Sequence, residues 1–195
     1  MGMDEIRQWL EVKWLKAAKV LTNNGFSNQS HESSMLAAWN LARDVTFSAV
    51  EENLFILQAR CLGDWNKIME KGLWLFINYA LVVEPFDRAT MVSKVAPKGV
   101  QAWIQIHKIP PLFKNKVVIE QLAARVGEVI SVGLMAVHTK AGDFHHTCVK
   151  LDSTKPLTCF VPLVLEGQDH IFLQIKYERL PKFCDHCGLM GHNYM

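Results

Sequence analysis

Val45-Thr46-Phe47-Ser48-Ala49, then Glu51-Glu52-Asn53, then Leu54-Phe55-Ile56-Leu57-Gln58-Ala59-Arg60 is the stretch that decides the fold. Val45, Phe47 and Ala49 alternate as the inward residues of a half-buried strand do, and the apolar run from Leu54 reads as a second strand beyond an acidic turn. Helical segments flank this hairpin. Upstream, Ser30 or Asn28 is placed to cap a helix with Met35, Leu36 and Trp39 on its inner face. Downstream, Gly63-Asp64 opens another, with Asp64 accepting from free amide N–H groups and Trp65, Ile68, Met69 and Leu73 on one side. Residues 15–22 read as a strand ending at Asn23-Asn24-Gly25, and Leu75 to Val83 as a last strand closed by Glu84-Pro85.

The order strand, helix, strand, strand, helix, strand is the βαββαβ pattern of ferredoxin-like and RRM-like modules, in which two helices cover one face of an antiparallel sheet. The expected fold class is α+β. Residues 1–14 form an amphipathic extension, 15–87 the RRM-like domain and 88–100 a linker carrying Pro97 and Gly99. Residues 101–181 form a second, β-rich unit with one main helix, and 182–195 a short terminal element. In the second unit a strand holds Trp103, Ile104, Ile106 and Ile109. A helix follows from Asn115, with Gly127 at its C′ position. Strands are expected at Val129–Val137, His146–Leu151, Leu157–Leu165 and Ile171–Tyr177.

With 195 residues, half of them hydrophobic and 21% charged, the chain can bury a real core. Its five cysteines have no framework spacing, and Cys61, Cys148 and Cys159 sit in apolar runs, so a reducing compartment is expected. The longest apolar runs are too short for a membrane span, and the N-terminus lacks a signal peptide's apolar core. The expectation is a soluble protein of nucleus or cytoplasm. Net charge is +2 but uneven: residues 1–87 carry −3, residues 88–119 carry +6 and residues 120–195 carry −1. Within the basic stretch, Lys94, Lys98, Lys108, Lys114 and Lys116 interleave with Trp103, His107 and Phe113, as phosphate-tracking lysines and base-stacking rings would. The plainer reading is a solvated linker and helix start with Trp103 in the core.

The tail reads Cys184-Asp185-His186-Cys187-Gly188-Leu189-Met190-Gly191-His192. Two thiolates two residues apart and an imidazole four residues on are the first three ligands of a Cys-x2-Cys-x4-His-x4-Cys zinc knuckle. Gly188 and Gly191 suit a loop folded tightly round an ion. The fourth ligand of that pattern falls two residues beyond Met195. With water, His186 or a partner's side chain at that corner, zinc is expected to bind weakly, and tightly once a cysteine is appended at the correct spacing. Met190 and Tyr194 are the residues expected to meet a base.

The run Tyr177-Glu178-Arg179-Leu180-Pro181-Lys182-Phe183-Cys184, continuing through Cys187-Gly188 to Gly191-His192, resembles the plant family called "domain of unknown function 4283" with its trailing CCHC knuckle. Leu54-Phe55-Ile56, the Lys71-Gly72-Leu73-Trp74 corner, Trp103-Ile104-Gln105-Ile106 with Ile109-Pro110, Ala124-x-x-Gly127 and Lys155-Pro156-Leu157 follow in the same order. The resemblance runs from about residue 15 to the end. It implies a retrotransposon-derived, Gag-like or LINE-type protein that binds RNA or single-stranded DNA without catalysis. Three departures are Leu73 in place of a proline, His145-His146 where many members carry arginines, and the missing last knuckle cysteine.

Other constellations have plainer explanations. Leu54 to Leu57 and the tryptophans 39, 65 and 74 are expected to pack as core, since no RNA-recognition signature of a basic residue, glycine and aromatics is present. His138, His145, His146 and Cys148 are read as a half-exposed strand rather than a second metal site. Nucleophile elbows, Walker loops, dinucleotide fingerprints and His-Glu-x-x-His are absent, so no enzyme and no small-molecule substrate are expected. The competing function is a protein-interaction or self-association module, built on apolar β-edges such as residues 157–165, with an inert knuckle.

Overall fold

A computed structural model describes residues 14–70, 73–86, 96–140, 142–164 and 170–193. The proposed helical extension, the Lys71-Gly72 corner, Lys94 and Tyr194 lie outside these, save Trp14. The chain forms two units that divide between Gly99 and Val100. Among the described residues there are three α-helices and two five-stranded sheets whose described strand pairs are antiparallel, a mixed architecture.

The first unit runs β1 (Leu15–Val20), α1 (Asn28–Trp39), β2 (Thr46–Glu51), β3 (Leu54–Gln58), α2 (Leu62–Glu70), β4 (Trp74–Phe76) and β5 (Tyr79–Pro85). Its sheet has the order β2-β3-β1-β5-β4. The β2–β3 hairpin pairs Phe47 with Leu57 and Ala49 with Phe55. One expectation fails: residues 75–83 are two strands, not one. Ile77 and Asn78 take φ of 50° and 66°, and two successive left-handed residues reverse the chain so that Phe76 pairs with Tyr79. Asparagine tolerates that region, whereas a β-branched isoleucine gives no local warning of it.

The caps also differ. Ser27, not Asn28 or Ser30, accepts from the Ser30 amide at 3.4 Å to open α1. Asp64 lies inside the first turn of α2, and its buried carboxylate accepts from the amides of Ala42 (2.9 Å) and Arg43 (3.0 Å), tying down the turn after α1. The core packs Met35, Trp39, Phe55, Leu57, Ile68 and Phe76, with Trp65 and Trp74 against it, as expected for these apolar runs.

Besides Asp64, the polar residues His31 and Lys16 share that interior, and nothing in the apolar periodicity announces them. His31 is fully buried, its ring 4.8 Å from Phe55 and 4.9 Å from Phe76 between centroids. Neither of its ring nitrogens has a hydrogen-bond partner among the described residues, and burial pushes its pKa down to about 4. Lys16 is equally buried; its Nζ donates to the Trp65 carbonyl and lies 4.2 Å from the centre of the Trp65 ring. Desolvation lowers its pKa to about 7.

The second unit runs β6 (Gly99–His107), a 3-10 turn (Pro111–Phe113), α3 (Lys116–Ala124), β7 (Glu128–Thr139), β8 (Gly142–Asp152), β9 (Phe160–Leu163) and β10 (Ile171–Tyr177). The sheet order is β7-β8-β6-β10-β9. Asn115 caps α3 by accepting from the Val118 amide at 3.0 Å. Ile119, Leu122 and Ala123 are the helix's buried residues, and α3 lies against β7 and β8. Gly127 is not a left-handed cap. A Cβ there would sit 2.6 Å from the Lys150 carbonyl oxygen, so close backbone approach is what requires glycine.

The half-exposed reading of the strand that carries these histidines holds in part. His145, Thr147 and Cys148 are buried, with α3 lying against β8, while His146 is half-buried and His138, on β7, is exposed and pairs with Asp143 at 2.8 Å. None of the described helices is long and apolar enough to cross a membrane.

Candidate metal centre

A small hairpin carries the tail residues. Phe183 and Met190 form an antiparallel bridge, the Cys184 amide donates to the Leu189 carbonyl at 2.9 Å, and the Gly188 amide donates back to the Cys184 carbonyl at 2.8 Å. Gly188 and Gly191 take φ of 72° and 97°, the left-handed values the tight loop needs. The loop is docked, not frayed. The Leu157 amide donates to the Gly188 carbonyl at 2.9 Å, and a Cβ on Gly188 would meet Pro156 at 3.1 Å. Cys184 is buried and Cys187 and His192 are half-buried.

This hairpin brings together one ligand atom each from Cys184, Cys187 and His192, all within 4.8 Å of one another. The Cys187 Sγ and His192 Nε2 are 3.3 Å apart. For sulfur about 2.3 Å and nitrogen about 2.0 Å from one tetrahedral ion, the edge between them is about 3.5 Å. The donor set and its spacing therefore fit zinc. The backbone amide of Cys187, with smaller help from the His186 amide and the Cys187 thiol, holds the Cys184 thiol below its ordinary pKa; partial desolvation and Asp185 oppose this. That favours the thiolate, which is the form that binds metal.

Residues 151–195 match the zinc-knuckle family model. No curated protein matches the chain. The zinc-knuckle match begins at Leu151, well before the ligands, and so takes in Pro156 and Leu157, on which the loop rests.

The other candidate site residues scatter. Met190 is 7% exposed and packed in its bridge with Phe183, so it is a structural residue of the knuckle and not a surface for a base. Lys98 is exposed in the first unit, and Lys116 is exposed at the start of α3. Lys108 and Lys114 do converge. They line a cleft of about 350 Å³ with His107, Asp143, Gln174 and Lys176. Lys176 was invisible in the charge pattern because it lies sixty-odd residues downstream. It joins the cleft only because β10 pairs with β6, setting Lys176 opposite Gln105. Trp103 is not in the core: it is 40% exposed, its ring stacked on His146 at 4.3 Å and 26°.

Proposed function

We propose that the chain binds single-stranded RNA or DNA, with a zinc-organised knuckle presenting part of the binding surface and no catalysis. The observation that carries this reading is the convergence of Cys184, Cys187 and His192 in the geometry of one tetrahedral ion. Zinc would fix the loop; the chain's own glycine turns and exposed backbone then face the strand. Zinc knuckles commonly bind nucleic acids, which supports extending the match over residues 151–195 to this role. The first unit's strand order, with β2-β3-β1-β5 read as four strands and β4 as an edge addition, supports an RRM-like assignment. The resemblance to the plant Gag-like family supports a retroelement-derived protein of nucleus or cytoplasm.

The test is fluorescence anisotropy of a labelled mixed-sequence RNA with the full chain, as zinc and salt are varied. The reading predicts affinity that falls with salt and weakens when zinc is chelated. Absence of salt-dependent binding in the presence of zinc would count against it.

A second reading, self-association, has its own observation. Strand β9 is an edge of its sheet, and its Phe160 and the neighbouring Phe172 of β10 are 55% and 65% exposed. Concentration-dependent assembly without nucleic-acid binding would favour it.

A further inference from the structure

Strand alternation gives the second sheet two unlike faces. Along β6, Val100, Ala102, Ile104 and Ile106 are buried, while Gln101, Trp103 and Gln105 point the other way and are more accessible. Across β8, the buried His145, Thr147 and Val149 alternate with Phe144 and His146. Phe144 and His146 meet the β6 side chains of the second face: His107 at 5.1 Å and Trp103 at 4.3 Å between ring centroids. On this face Trp103 is 40% exposed and Phe144 and His146 are half-buried, while His107 and Cys148 are buried within it. One exposed ring on a packed aromatic base, with lysines at one end, is a composition that holds single strands, a base on the ring and phosphates on cations.

We infer that this accessible face of the second sheet is a binding surface for single-stranded nucleic acid, a base stacking on Trp103 while a neighbouring phosphate enters the cleft of Lys108, Lys114 and Lys176. The inference rests on the nucleic-acid reading above and moves much of the contact from the knuckle to the sheet.

Three observations support it. Trp103 is held as a platform: His146 lies flat beneath it, His146 Nε2 is 3.1 Å from the Glu178 carboxylate, and that carboxylate accepts from Gln105 at 2.8 Å. A ring fixed in this way loses little freedom when a base stacks on it.

The cleft also has the right charge. Lys108, Lys114 and Lys176 come from the end of β6, the loop before α3, and β10, against one carboxylate, Asp143. Asp143 is already engaged by Lys114 at 3.4 Å and His138 at 2.8 Å, which leaves the cleft cationic. The other carboxylate of this face, Glu178, is taken up by Gln105 and His146.

Finally, Lys108 holds a φ of 61°, a conformation that glycine adopts without strain. The lysine at this position supplies an ammonium group that glycine could not, and strained backbone of this kind concentrates at binding sites.

The test uses the full chain with zinc and a fluorescein-labelled 12-mer of oligouridylate. Trp103→Ala should weaken binding roughly tenfold, in line with the loss of one stacked base, and Trp103→Phe should recover most of it. Lys108→Gln and Lys176→Gln should each reduce the slope of log affinity against log salt by about 0.7. Circular dichroism of each variant checks the fold, and the two exposed lysines leave the core untouched. If the chain binds the oligomer but these four variants bind as the parent does, with unchanged slopes, the surface is wrong while the nucleic-acid reading stands. If the parent chain binds no oligomer at all, both fall. Equal displacement by polyglutamate at matched charge would also overturn the inference, since a merely cationic patch has no use for bases.

Discussion

Replacing His31 with leucine should both stabilise the first unit and remove a large part of its acid sensitivity. The imidazole is fully buried among Phe26, Phe47, Phe55 and Phe76, with two unpartnered nitrogens. Leucine fills a similar volume and deletes those polar atoms, a gain of about 1–3 kcal/mol at neutral pH. The pH effect has a definite sign. Burial lowers the folded pKa to about 4 from an ordinary 6.5, so the unfolded chain binds the proton first as pH falls. Stability is therefore intact above about pH 6.5 and erodes toward pH 4, by about 3 kcal/mol in all and about 2 kcal/mol by pH 5. Urea unfolding at pH 7.5 and 5.0 measures this through tryptophan fluorescence, to which the first 99 residues contribute five of the six tryptophans. The wild type should lose about 2 kcal/mol more than His31→Leu between the two pH values. Equal losses in the two proteins would refute the assignment of a neutral, unpartnered imidazole.

Lys16→Met should abolish a rise in thermal stability between pH 7 and 9. The lysine's folded pKa of about 7 lies below its unfolded value, so the unfolded state holds the extra proton in that window; melting curves at the two pH values check it. Asp64→Asn should destabilise the first unit by about 1–2 kcal/mol, because one oxygen cannot serve the amides of Ala42 and Arg43 as two did; denaturant midpoints report it. Gly188→Ala should weaken zinc affinity in competition with a metal indicator, through the cost of a left-handed non-glycine residue, about 1 kcal/mol or more, and the contact with Pro156.

What the sequence made legible follows from how local each signal is. The knuckle ligands are residue-specific and lie within nine positions, so Cys184, Cys187 and His192 could be named before any geometry. The β2–β3 hairpin and the start of α3 near Asn115 were likewise written in adjacent residues. What escaped depends on pairings distant in sequence. Lys176 meets Lys108 only across the β6–β10 ladder, and Trp103 meets His146 only because β8 lies beside β6. The burial of His31 and Lys16 breaks the rule that interiors are apolar, and the Ile77-Asn78 turn breaks the rule that β-branched residues avoid positive φ. Met190 misled for a simpler reason: in so small a loop, an apolar side chain is needed inside before one can be spared for a ligand.

Cobalt(II) titration of the full chain reads the three-donor centre most directly. Cobalt in excess should bring up, saturably, the intense visible bands of a tetrahedral ion and a thiolate-to-metal band in the near ultraviolet. Zinc should bleach both, and Cys187→Ser should lack them. A spectrum that stays that of hydrated octahedral cobalt at every ratio would contradict the account.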